Sequence, residues 1–177
     1  VAYQDRHTLD QLWPNYLQGG YFDDDGNLRI ELVARARIGP LAKAMGLAQP
    51  RLTMYQIQRF LQHCRAIEAR IRAKSSSWAA EQASFLYLDA AAADAAAKSP
   101  KRIPALFHDF IERNVAAVKT EKDFLEGFLP HFGALIGFGS RFFQDGEPLP
   151  AEPAAEPAEV ETASRPSLRQ NGGSLYW

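Results

Sequence analysis

The sequence is poor in the residues from which most active sites are built. Cys64 is the single cysteine in 177 residues. That excludes a fold held by internal disulfides and fits a reducing, cytoplasmic setting. The four histidines, His7, His63, His108 and His131, are scattered along the chain. His63 and Cys64 are adjacent, so on a helix they point about 100° apart and cannot share one metal, and the other three lack neighbours at ligand spacing. There is no glycine-rich phosphate loop, nucleophile elbow or His-Glu-x-x-His pair. Asp109, Glu112, Glu121, Asp123 and Glu126 alternate with lysine and arginine, as acids on solvated helix faces do. No apolar run reaches the roughly 20 residues of a membrane span, and the N-terminal residues carry no secretory-leader pattern. The expectation is a non-enzymatic protein with no cofactor, no metal and no membrane association.

What is present is a core and an uneven distribution of charge. Hydrophobic residues make up 46% of the chain, enough to exclude wholesale disorder. The net charge of -1 conceals a basic centre between acidic ends. Residues 1–28 carry five aspartates against Arg6, and residues 145–177 carry six acids against Arg165 and Arg169. Between them, residues 29–74 carry ten basic side chains against Glu31 and Glu68. A basic module of this kind suits an anionic partner.

Leu52 to Lys74 forms the centre of that module. Met54, Ile57, Phe60, Leu61, Cys64, Ile67 and Ile71 recur at steps of three and four, which places them on one side of a helix. Thr53 is its expected N-cap. The other side holds Arg59, His63 and Arg70 in one stripe, with Arg65 and Arg72 flanking the apolar face. A helix needing only solubility would mix signs to gain i,i+4 pairs. This one has Arg51, Arg59, Arg65, Arg70, Arg72 and Lys74 against Glu68 alone, and such like charges cost stability unless an anion sits against them.

The remaining chain reads as an all-α bundle of about five helices, residues 31–144, between an N-terminal leader (1–30) and a tail (145–177). In the leader, Leu12, Trp13 and Tyr16 form a candidate anchor and GGYFDDDGNL a turn. Asp23, Asp24 and Asp25 lack the alternating acids and the twelfth-position glutamate of a calcium loop, so a solvated acidic turn is expected. A first helix is predicted over Glu31–Met45 with Leu32, Ala36, Leu41 and Met45 inward, kinked or divided at Gly39-Pro40 and ended by Gly46. A third helix, residues 75–98, begins at a Ser77 cap and buries Trp78, Phe85, Leu86 and Leu88. Its alanine-rich half allows close packing in the bundle, or the approach of a subunit or a nucleic-acid backbone. A fourth runs from Pro104 to about Lys119 and a fifth from about Glu121 to Phe143, bent at Pro130. The tail, rich in proline, alanine and glutamate, is expected to be disordered, with Leu175, Tyr176 and Trp177 at its end.

The segment LTMYQIQRFL resembles the corresponding stretch in the small subunit of the type III-A CRISPR–Cas effector, the Csm complex. GYFDDDGNLRIELVARA with LAKAMG is similar to that family's leader and first helix. LYLDAAAADAAAK is similar to a later segment, with Lys98 at its terminal basic position, and HFGALIGFGSRFF resembles the closing helix. The four segments occur in the family's order and span roughly residues 20 to 143. Departures occur at Gln58, where a basic residue is common, and at Asp89 and Ala91, where lysines are. Gly133, Gly139 and Ser140 also replace polar or charged residues of the closing helix. Arg59 and Lys98 therefore carry the resemblance best.

That resemblance implies a non-catalytic structural subunit whose copies stack along a filament, beside the backbone and large subunits. It implies a channel surface for the guide RNA–target RNA duplex, touching mainly target-strand phosphate and sugar. The expected RNA-binding residues are Arg51, Arg59, His63, Arg70 and Lys98. Two other functions suit the same residues: a DNA-binding regulator using Leu52–Lys74 as a recognition helix, and a protein-only adaptor whose basic face meets an acidic partner.

Overall fold

The computed structural model describes residues 7–144. Its regular elements are helical: α1 (Leu9–Leu12), a 3₁₀ turn (Ile30–Leu32), α2 (Arg35–Leu47), α3 (Met54–Arg72), α4 (Trp78–Ala97), α5 (Ala105–Ala117), a π-helical segment (Asp123–Phe128) and α6 (Leu129–Gly139). Among the described residues there is no strand, only one isolated bridge between Phe22 and Leu28. The expected all-α bundle is therefore the fold. The tail assigned to residues 145–177, with its terminal Tyr176 and Trp177, lies outside the described residues.

Helix α3 forms where the periodicity places it. Ile57, Cys64, Ile67 and Ile71 are buried, with Met54, Phe60 and Leu61 partly so. Thr53 caps the helix as expected, within a full capping box: the Thr53 hydroxyl accepts from Gln56 N–H, and the Gln56 amide oxygen accepts from Thr53 N–H at 2.9 Å. At the other end Lys74 takes a left-handed conformation with φ 56°. Its N–H donates to the Ile71 carbonyl and that of Ser75 to the Arg70 carbonyl, the two bonds of a Schellman motif.

An aromatic seam joins the other helices. Phe85 on α4 contacts Phe124 and Phe128, with centroids 5.2 and 5.4 Å away. Phe132 on α6 continues the seam toward Phe107 and Phe110 on α5, and Phe107 meets Phe60 of α3 at 5.2 Å. Each ring buries a large apolar area with few rotamers to fix, so this seam dominates the core. Leu86 is a correction: expected inward, it is 50% exposed, because the burial period of α4 runs through Phe85, Leu88 and Ala92.

Helix α2 departs from expectation in three places. It starts at Arg35, so Ile38, Leu41, Ala42 and Met45 face inward and Ala36 is exposed. Pro40 lies within the helix without dividing it, at a cost of one backbone hydrogen bond in the second turn. Gly46 is not a stop signal. A Cβ there would lie 2.6 Å from Phe142 Cβ, so the glycine lets the turn that follows α6 approach α2.

The predicted bend at Pro130 takes the form of a change in helix type. Residues 123–128 are wound as a π-helix directly before α6, and Leu129 N–H donates to the Phe124 carbonyl five residues back. The wider turn accommodates the ring that crowds the preceding carbonyls of an α-helix. Within it, Gly127 leaves room for Tyr21, whose Cγ is 2.5 Å from where a Cβ would stand.

Of the expected anchor residues Trp13 and Tyr16 are buried and Leu12 partly so, and Leu9 and Tyr21 of the leader are buried beside them. Asp10 of α1 is clamped by both Nη atoms of Arg113 on α5 at 2.7 and 2.6 Å. Beneath it runs a satisfied polar chain. His131 Nδ1–H donates to the Leu32 carbonyl at 2.5 Å, leaving Nε2 to accept from Tyr16 O–H at 2.6 Å. Tyr16 in turn accepts from Asn114 Nδ2–H at 2.7 Å, and Tyr21 O–H donates to Asn114 Oδ1 at 2.9 Å. Burial drives the imidazole pKa down to about 4, which keeps it neutral, and the Leu32 carbonyl fixes the tautomer with the proton on Nδ1.

Candidate nucleic-acid interface

Helices α3 and α4 are joined by a short turn and run antiparallel, so the start of α3 faces the end of α4. Two contacts fix this register. His63 Nε2–H donates to the Ser84 carbonyl at 2.7 Å, and Gln56 Nε2 donates to the Arg102 carbonyl just beyond α4. Between them lies an open groove of about 510 Å³.

The groove gathers three of the five expected binding residues. Arg59 and His63 line it from α3, and Lys98 lines it from the C-terminus of α4. Arg102 joins them from the loop that follows. No acid among the described residues lies within ion-pair distance of Arg59 or Arg102. Lys98 bonds Asp94 at 2.6 Å, but that exposed i,i+4 pair adds little stability and opens readily to a competing anion. Alanines 90, 91 and 95 form part of the wall, and their short side chains leave the α4 side of the groove shallow.

The other two expected residues sit elsewhere. Arg51 is half-buried ahead of α3 and does not line the groove. Arg70 lies beyond the His63 end, where Nε and Nη2 donate to the two carboxylate oxygens of Glu81 at 2.8 and 2.7 Å. Arg70, with a contribution from Ser76, holds the Glu81 carboxyl at a pKa of about 2. The flanking arginines are also paired: Glu68 receives Arg65 at 2.5 Å and Arg72 at 2.8 Å. The one-sided charge of α3 is thus partly answered from within the fold, while in the groove Arg59 and Arg102 have no acidic partner among the described residues.

Sequence reasoning missed Arg102 as a site residue, because its place in the groove is held by Gln56, 46 positions away. Gln56 closes the Thr53 capping box with its amide oxygen and holds the Arg102 backbone with its amide nitrogen.

The chemistry open to this surface is electrostatic. Cys64 is buried and its thiol is pushed up to about 12, which keeps it protonated and unreactive. Among the described residues no group of three or more histidine, cysteine, aspartate or glutamate side chains is placed to hold a metal ion. No helix among them is long and apolar enough to cross a membrane.

The described residues therefore define a small all-α bundle with one side of its central helix opened into a basic groove. A model of the Csm2 Type III-A family matches residues 34–144, and the chain belongs to that family, the small structural subunits of the type III-A Csm effector complex. No curated protein and no solved structure matches the chain significantly.

Proposed function

We propose that this chain is a non-catalytic subunit that lines the channel holding the guide RNA–target RNA duplex, with the α3–α4 groove against the target-strand backbone. The observation that carries this reading is the convergence of Arg59, His63, Lys98 and Arg102 on one groove, where neither arginine has an acidic partner among the described residues. Guanidinium and ammonium groups hold phosphate without reading bases, which is what a surface serving any guide sequence needs. Arg51 and Arg70 become flanking residues in this assignment, Arg70 through its hold on Glu81. Further copies of the chain, together with the backbone and large subunits, complete the channel in a cytoplasmic ribonucleoprotein.

Two features count against a recognition helix. Helix α3 buries its apolar face in the bundle, and α4 walls its polar face, so it does not project as a free rod that enters a major groove. The protein-only adaptor is separated by experiment. In the assembled effector with a bound target RNA, ultraviolet crosslinking should label peptides containing Arg59 and Lys98–Arg102. Crosslinks confined to other surfaces, or none to this subunit, would overturn the assignment.

A further inference from the structure

Two exposed aromatic rings line the same groove as the basic residues. Tyr55, in the first turn of α3, and Tyr87, midway along α4, are each 65% exposed. Tyr87 leaves apolar ring area in water within a groove otherwise rich in cationic side chains. Because His63 meets Ser84 while Gln56 meets Arg102, the antiparallel register puts Tyr87 toward the His63 end and Tyr55 toward the Arg102 end. Arg59 lies one turn from Tyr55 and one turn from His63, so a cation stands in the same groove as the two rings. At about 510 Å³ the groove falls within the roughly 300–1,000 Å³ range of small-molecule sites, more space than a phosphate alone requires.

We propose that the groove binds an unpaired stretch of RNA, stacking a splayed-out base on Tyr87, and a second on Tyr55, while Arg59 and Arg102 hold the intervening backbone. This combination of aromatic platforms and a basic track is how single strands are held without sequence preference, because every base has a π face. Bases stacked inside a continuous A-form duplex do not offer that face to a side chain. Contact with phosphate alone makes no use of the Tyr87 ring, and charge complementarity disfavours a basic protein segment as the occupant. The inference rests on the groove being an RNA surface and adds the state of the strand: unpaired at the position it occupies.

The test uses the full chain with two fluorescein-labelled probes, an oligouridylate and a blunt RNA duplex. Affinity and its salt dependence are measured for the wild type, Tyr87→Ala, Tyr87→Phe and Arg59→Ala. Tyr87→Ala should weaken oligouridylate binding about tenfold, in line with the loss of one stacked base. Its salt slope should be unchanged, its duplex affinity should be unchanged, and Tyr87→Phe should retain wild-type binding. If Tyr87→Ala binds oligouridylate as the wild type does while Arg59→Ala is weakened, the groove holds backbone only and this inference fails, leaving the RNA assignment standing. An equal loss on both probes in Tyr87→Ala also overturns it. Wild-type affinity for neither probe, or an Arg59→Ala variant unchanged on both, overturns the RNA assignment together with the inference.

Discussion

Arg70 in the last turn of α3 and Glu81 in the first turn of α4 grip each other through two hydrogen bonds, 2.8 and 2.7 Å, across the turn that joins the helices. Each charge also suits its own helix end, the cation at a C-terminus and the anion at an N-terminus. Glu81 is only 7% exposed, so removing its partner strands a carboxylate against the bundle. Arg70→Ala should therefore lower the melting temperature by several degrees, and Arg70→Ala with Glu81→Gln should recover part of the loss. An unchanged melting temperature in the single variant would show the pair to be incidental. For the same reason Arg70 is unsuitable for testing RNA contact, because its loss mixes binding with stability.

Acid should destabilise the fold in two separable steps. The folded His131 pKa is about 4 against an ordinary 6.5, so between those values the unfolded chain binds a proton that the folded chain does not. The neutral imidazole's contribution is complete above pH 6.5 and is lost as pH falls toward 4, by about 3 kcal/mol at ~1.4 kcal/mol per pH unit. Glu81, depressed to about 2, keeps its contribution above an ordinary 4.5 and loses it only as pH falls further toward 2. Urea unfolding between pH 7 and 4 should show the first step, and His131→Gln should flatten it. A wild-type stability independent of pH over that interval would contradict the neutral, buried histidine.

Lys74 closes the Schellman motif of α3 in a left-handed conformation that glycine adopts without the steric cost of a Cβ. Lys74→Gly should stabilise the protein by about 0.5–1 kcal/mol, the relief of strain less the added freedom of the unfolded chain. Chemical denaturation checks it, and a destabilised variant would mean that the lysine side chain holds something the backbone geometry does not reveal.

The parts of this fold that were legible in the sequence are those set by local periodicity and local chemistry. Ile57, Cys64, Ile67 and Ile71 share a face because of their spacing, and Thr53 caps because its hydroxyl reaches the first turn. Trp13 and Tyr16 were readable as an anchor because large rings seek burial. Features decided by a distant partner were not legible. Arg70 belongs to a basic stripe by sequence, and only the folded turn brings Glu81 to it. Gly46 looks like a helix stop until Phe142 is seen against it. Leu86 is apolar enough for a core, but the register of α4 that buries Phe85 and Leu88 turns it outward. In the groove, Arg59 and Lys98 were found from the chain alone, while Arg102 depends on a hydrogen bond between residues 46 positions apart.

The central claim, that the α3–α4 groove holds RNA through its backbone, is tested most directly by the salt dependence of affinity in the Arg59→Ala, Arg102→Ala double variant. Both side chains are exposed and lack an acidic partner among the described residues, so circular dichroism and melting should match the wild type. Binding to guide–target duplexes of unrelated sequence, in the assembled effector, should weaken about equally for each. The slope of log affinity against log salt should become shallower by roughly 0.7–0.9 for each phosphate that the variant no longer neutralises. A double variant with unchanged affinity and unchanged slope would contradict the account and place the RNA-binding surface elsewhere on the subunit.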